Sequence, residues 1–383
     1  MSQDSSSLRF PALHADRLSR RRFGQGLALA AGAAVAGSLI PRPALGRAVA
    51  PTALSAFGQQ RYFAYPHQNA FLDGGGGMVL GQLDGANRAS LWLHEVAGGG
   101  SARIAGFTLP AGYGGFIYYD IAEARPLLAA SDQRAVWLID LAHTPFTARR
   151  LYTAPAGHTL DDLVSIRRDG SAVVTCHRPT GRSSPSTIVR IDTGSGAVTS
   201  LCTKWFLAHH WQHSPFDQSW LGFSRDQGNR QRIWGHHPRL APSGRLLWNQ
   251  RSPTGGELLV GHEVWCRHEL SILAIAYRRS PGSPRGLYQV WPDGRSRLVQ
   301  AADNFAHCNV SRDGSKAVVD TTTGGIVLID LSARAAARQL ADTRMGAKHP
   351  YHAHPHFTPD GRKIVYTDTN AAGQVRVAMV PIG

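Results

Sequence analysis

The chain has 383 residues and a formal net charge of +15 at pH 7, with 41 Lys and Arg against 26 Asp and Glu. So basic a protein is expected to meet an anionic partner. No Lys/Arg run or basic helix points to nucleic acid, so an acidic sugar ranks above it; an arginine-preferring genome is the bland alternative. After the first fifty residues no stretch is long and apolar enough to cross a bilayer, which excludes a chain held in a membrane by later helices.

Ser19-Arg20-Arg21-Arg22-Phe23 fits the twin-arginine pattern, and residues 24–40 form a weakly apolar Ala/Gly run. That run is short and glycine-rich for a stable span, and the small residues up to Gly46 or Ala50 offer cleavage sites. Residues 1–46 are therefore expected to be a twin-arginine signal peptide rather than an anchor, and 47–60 a linker. The mature protein is expected in the periplasm or secreted, with no stable membrane insertion after cleavage. Losing six Arg and two Asp with the signal lowers the charge to about +11 and leaves about 335 residues. The twin-arginine route carries folded proteins, often ones already holding a cofactor, which is a first hint of a metal.

From residue 61 the chain repeats itself. Short β-rich runs begin at Gly77, Pro126, Ala172, Trp220, Ile272, Ala317 and Ile364, about 45 to 52 residues apart. Most follow a turn of the kind Asp73-Gly74, Asp169-Gly170, Asp313-Gly314 or Asp360-Gly361. Many precede a second run such as Val136 to Leu141 or Ile326 to Leu331. Strand, Asp-Gly turn, strand, turn is a meander, and four strands per 40 to 50 residues is what a β-propeller needs. The spacing predicts an all-β fold, one seven-bladed β-propeller over 61–383, with no helical periodicity after the signal. Cys176, Cys202, Cys266 and Cys308 lie far apart without a Cys-x-x-Cys; spacing cannot pair them, and buried free thiols are the expected state.

The histidines keep the blade period. His210, His262, His307 and His352 are separated by 52, 45 and 45 residues. His354, His307 and His67 each lie six residues before the Asp of an Asp-Gly turn, and His262 lies six before His268, in the equivalent slot. Equivalent positions in successive blades surround the axis, so these rings should converge beside the central channel. His352 and His354, two apart on one strand, should point the same way. With His307 from the adjacent blade, and His349 from the loop before, they are candidate ligands of one ion. Imidazole suits Mn, Fe, Ni, Cu or Zn better than Ca. His67 is read as a packing residue.

The stretches His210-Trp211-Gln212-His213-Ser214-Pro215, Arg232-Ile233-Trp234, His262-Glu263-Val264-Trp265, His307 with its Asp313-Gly314 turn, and 349–357 together resemble the oligogalacturonate lyases. These are seven-bladed propellers that cleave short pectin fragments by β-elimination. The resemblance runs over about 60–383 and is strongest in the second half. It implies a divalent metal, generally manganese, on His307, His349, His352 and His354, with His349 standing where the family has glutamine. It implies His262 as the base and Arg232 as a contact to the substrate's acid groups, and it makes His210 a candidate for substrate contact. The expected substrate is an acidic oligosaccharide, an oligogalacturonate or related uronate, and no nucleic acid. The competing expectation is a non-catalytic propeller of the cell envelope, binding or scaffolding, with a structural metal.

Overall fold

The computed structural model describes residues 50–110, 116–226, 230–277, 279–332, 337–346 and 349–383. The expected signal peptide lies outside the described residues. Seven antiparallel sheets follow one another along the chain, and no α-helix occurs among the described residues. This is a seven-bladed β-propeller. Blades 1 to 6 take their strands in simple sequence over 61–108, 119–153, 158–204, 208–246, 260–301 and 305–342.

Blade 7 is made from both ends of the described chain. Its strands His356–Phe357, Lys363–Thr369 and Val375–Pro381 are completed by Thr52–Ala53, which pairs with Met379 and Ala378. Part of the stretch expected to be a linker thus belongs to the last blade. The reason is that an unpaired outer strand would expose a row of N–H and C=O groups, and pairing it also joins the first blade's leader to the last blade.

The seven apolar runs seen in the sequence are the second strand of each blade, the most buried position in the sheet. Ile272–Ala276, for example, is buried at all five positions. Its Leu273 and Ile275 pack across the seam on Phe305, Cys308 and Val310 of blade 6. The Asp-Gly turns lead into these strands. Gly170, Gly314 and Gly361 sit at φ of 73°, 71° and 68°, where a side chain is strained. The preceding aspartates accept the N–H two residues on, as Asp313 does from Ser315 at 3.0 Å.

One irregularity of the innermost strands positions the site. In blades 4, 5 and 6 the pairing slips between His209 and Gln212, Gly261 and Val264, and Phe305 and Cys308. These are β-bulges, which re-aim a side chain out of the pleat. His210, His262 and His354 take left-handed φ of 56°, 53° and 45°, strain of the kind that collects at functional sites. The repeated histidines of blades 4, 5 and 6, His210, His262 and His307, therefore all stand in bulged positions.

Candidate metal centre and active site

His307 of blade 6 and His352 and His354 of blade 7 each bring one ring nitrogen into a group whose members lie within 4.8 Å of one another. The nitrogens His307 Nε2, His352 Nδ1 and His354 Nε2 are buried and have no hydrogen-bond partner, and the same is true of His349 Nδ1. Buried polar atoms normally find partners, so four orphaned imidazole nitrogens at one place fit a cation. His349 stands beside the group, its ring 4.3 Å from that of His352 and 4.9 Å from that of His354, centroid to centroid. It does not belong to the group of three.

Asp320 fixes this geometry from behind. Its carboxylate, fully buried, accepts the backbone N–H of His307 at 2.7 Å and lies 2.9 Å from His307 Nδ1. It also accepts the backbone N–H of His354 at 3.2 Å. A carboxylate behind a histidine sets its tautomer and leaves Nε2 free for a metal. The fourth histidine of the terminal run, His356, has a different job: its nitrogens lie 2.9 Å and 3.1 Å from the carbonyl oxygens of His354 and Tyr65.

In the metal-free protein His352 is lowered to about 4 and His349 to about 2, by burial first and then by the neighbouring imidazoles. Their unfolded value is about 6.5, so below that pH the unfolded chain binds more protons. The stability these neutral rings contribute is present above pH ~6.5 and is lost as pH falls toward 4. Urea unfolding of the metal-free protein at pH 7.5 and pH 5 checks this; the midpoint is expected to be lower at pH 5.

His262 is half-buried beside the cluster, its ring centroid 3.9 Å from that of His307. Burial first, then the charges of His307 and Arg232, hold it well below its ordinary value, so it stays neutral. Its Nδ1 is 2.9 Å from the hydroxyl of Tyr65, which is also 2.8 Å from His210 Nε2. A phenol has one proton to give, so Tyr65 donates to one ring and accepts from the other. His67 packs its ring 5.0 Å from that of Tyr65 and stays apart from the metal-capable group.

Arg232 is buried, 3% exposed, and its guanidinium is bonded within the protein. Nε donates to Glu263 at 3.0 Å, Nη1 to Asp226 at 2.6 Å, and Nη2 lies 3.2 Å from His210 Nδ1. Burial works against its charge, but the two carboxylates outweigh it and raise the pKa. Glu263, given no part by the sequence reading, is the buried partner that holds this arginine. Replacing Arg232 with Ala would leave Glu263, itself 3% exposed, as an uncompensated buried charge. The expected loss is about 3–5 kcal/mol of stability, measured by urea unfolding with activity followed in parallel.

Beyond His210 lies a second polar group. His209 Nε2 bonds Asp161 and Asp162 at 3.0 Å and 2.8 Å. Burial opposes its charge, yet the two aspartates hold its pKa well above the ordinary value. The four cysteines are free thiols, three of them buried.

Tyr65, Asp320 and the His209 pair of aspartates escaped the sequence reading. Asp320 did leave a signal, an acid ending an otherwise apolar second-strand run. Tyr65 left none.

Fold and site together define a seven-bladed β-propeller with a group of histidines that could hold a metal ion. No protein-family model and no curated protein sequence matches the chain. Among solved structures it is similar to an oligogalacturonate lyase in complex with manganese, with TM-score 0.74 and 17% identity over 89% of this chain and 98% of that one. It is similar also to the oligogalacturonate lyase of Vibrio parahaemolyticus, with TM-score 0.71 and 15% identity over 89% and 99%. A puromycin-hydrolysing peptidase of Mycobacterium tuberculosis shares the propeller at TM-score 0.56 and 16% identity, over 88% of this chain and 54% of that one. At these identities the likeness is one of fold. It agrees with the resemblance carried by the histidine motifs, and the chain is as divergent from these enzymes as those motifs imply. No helix among the described residues is long and apolar enough to cross a membrane.

Proposed function

We propose that the protein is an oligogalacturonate-lyase-like enzyme, exported through its twin-arginine motif, that cleaves short uronate oligosaccharides by metal-assisted β-elimination. The observation that carries this is the set of orphaned nitrogens on His307, His349, His352 and His354, beside a neutral His262. His307, His352 and His354 would hold the ion and His349 would complete or border it; manganese is the expected metal. When bound, the ion supplies a positive charge that takes up the negative charge developing on the substrate's carboxylate.

The reaction removes the proton at C5, next to a carboxylate, and expels the 4-linked oxygen. Abstraction piles charge onto a group that is already anionic, so an uncharged base is needed close by. His262 is that base. In the tautomer that can act, its Nδ1–H donates to Tyr65, whose own O–H points to His210 Nε2, so the proton from C5 goes to the lone pair on His262 Nε2. The hydroxyl thereby fixes the ring through the change of protonation. Arg232 acts from behind His210 as a positioning residue, its charge already matched by Glu263 and Asp226.

A non-catalytic propeller with a structural metal would share the ion but not the half-exposed His262 beside it. Purified protein with added manganese, given a panel of uronate oligomers, decides between them. Ultraviolet absorbance from an unsaturated uronate, with a matching metal content by elemental analysis, supports the lyase. Bound metal without any such product overturns it.

A further inference from the structure

Trp205 is 65% exposed, an unusual place for the largest side chain. It lies on the link between the outer strand of blade 3, Val198–Lys204, and the inner strand of blade 4, Ala208–His213. His209 and His210 follow four and five residues later, so the indole belongs to the segment that leads into the site's blade 4 histidines.

Its setting is built. Fully buried Phe206 meets the indole edge-on, centroids 5.3 Å apart at 87°, and Phe206 in turn rests on Trp234 at 4.9 Å. The guanidinium of Arg225 lies 4.6 Å from the indole centroid. Arg225 is tied to the site by its backbone: it pairs with Ala208, and its N–H donates to the carbonyl of Arg232 at 2.8 Å. Its Nη1 reaches Gln231 at 3.3 Å, while its buried Nε has no partner.

Around the ring the order is metal donors on blades 6 and 7, His262 on blade 5, His210 on blade 4, then Trp205 and Arg225 at the seam of blades 3 and 4. A sugar chain held by a carboxylate at the metal and running over His262 and His210 would continue toward this pair. A pyranose presents a flat C–H face that fits an indole plane. A uronate adds a carboxylate, which accepts a charge-assisted hydrogen bond from a guanidinium N–H.

Resting on the lyase reading, we propose that Trp205 and Arg225 form a distal subsite for a further uronate residue of the substrate, and so set its preference for longer oligomers. The test compares wild type, Trp205→Ala, Trp205→Phe and Arg225→Met on di-, tri- and tetragalacturonate, by KM and by calorimetric Kd in the presence of manganese. Wild type is expected to bind the tetramer about tenfold tighter than the dimer, a difference within reach of one stacked and one charged contact. Trp205→Ala and Arg225→Met should reduce that ratio to near one, and Trp205→Phe, which keeps an aromatic plane, should retain most of it. Unchanged metal content in each variant confirms folding.

A ratio that survives in Trp205→Ala overturns the subsite, and so does a wild type that binds dimer and tetramer alike. If no uronate is cleaved but the length-dependent binding exists and needs Trp205, the subsite stands and the catalytic reading alone falls.

Discussion

His262→Ala is expected to lower kcat by at least about a hundredfold, in the range a lost general base costs, while the protein keeps its full metal content. The separation follows from how the site is held. His262 touches the ring of His307 at 3.9 Å but is not among the grouped donors. The orientation of His307 comes from Asp320 on its far side, so cutting back His262 leaves the cluster's support in place. His354→Ala should behave differently. It removes a donor from the group of three, and both metal and turnover are expected to go. Steady-state rates set beside elemental analysis of the two variants check the pair. A His262→Ala protein with undiminished turnover would sink the assignment of the base.

What could be read from the sequence follows the period. Each blade repeats a buried second strand, and four of the seven lead into it through an Asp-Gly turn; local chemistry dictates both, so seven blades were legible in the sequence. The same count brought His307, His352 and His354 together, because equivalent inner-strand entrances of adjacent blades are neighbours in a propeller. Partners without that periodicity were invisible. Tyr65 joins His210 and His262 across 145 and 197 residues of sequence, and nothing near Tyr65 marks it out. Arg232 is a contact to substrate acid groups only by the resemblance; its pairing with Glu263 is made across a blade seam that spacing alone does not resolve. Thr52–Ala53 read as linker since two residues show no alternation, yet the open edge of blade 7 gives them a strand to pair with.

Asp320→Ala is expected to do the most damage of any single change that leaves every metal ligand intact. Three N–H groups converge on this buried carboxylate: the backbone amides of His307 and His354 and the His307 ring. Alanine leaves them facing a cavity with no acceptor, at about 1–3 kcal/mol for each buried donor left unmade, so metal-free stability should fall by several kcal/mol. Metal affinity should fall as well, by about 10–100-fold, because the His307 ring is freed to turn and its Nε2 is no longer held as the lone-pair nitrogen. Asp320→Asn separates the two effects. The amide oxygen still accepts one backbone N–H and fills the volume, so stability should recover in large part. The amide nitrogen, placed against a ring N–H, sets donor against donor and pushes His307 toward the tautomer that protonates Nε2. Unfolding must be measured with the metal removed, since bound metal stabilises by mass action and would mix the two quantities. Affinity is then read by competition with a chelator. The result to expect is an asparagine variant near wild type in urea but close to alanine in metal binding; one that keeps wild-type affinity would mean that Asp320 supports the backbone and not the ligand.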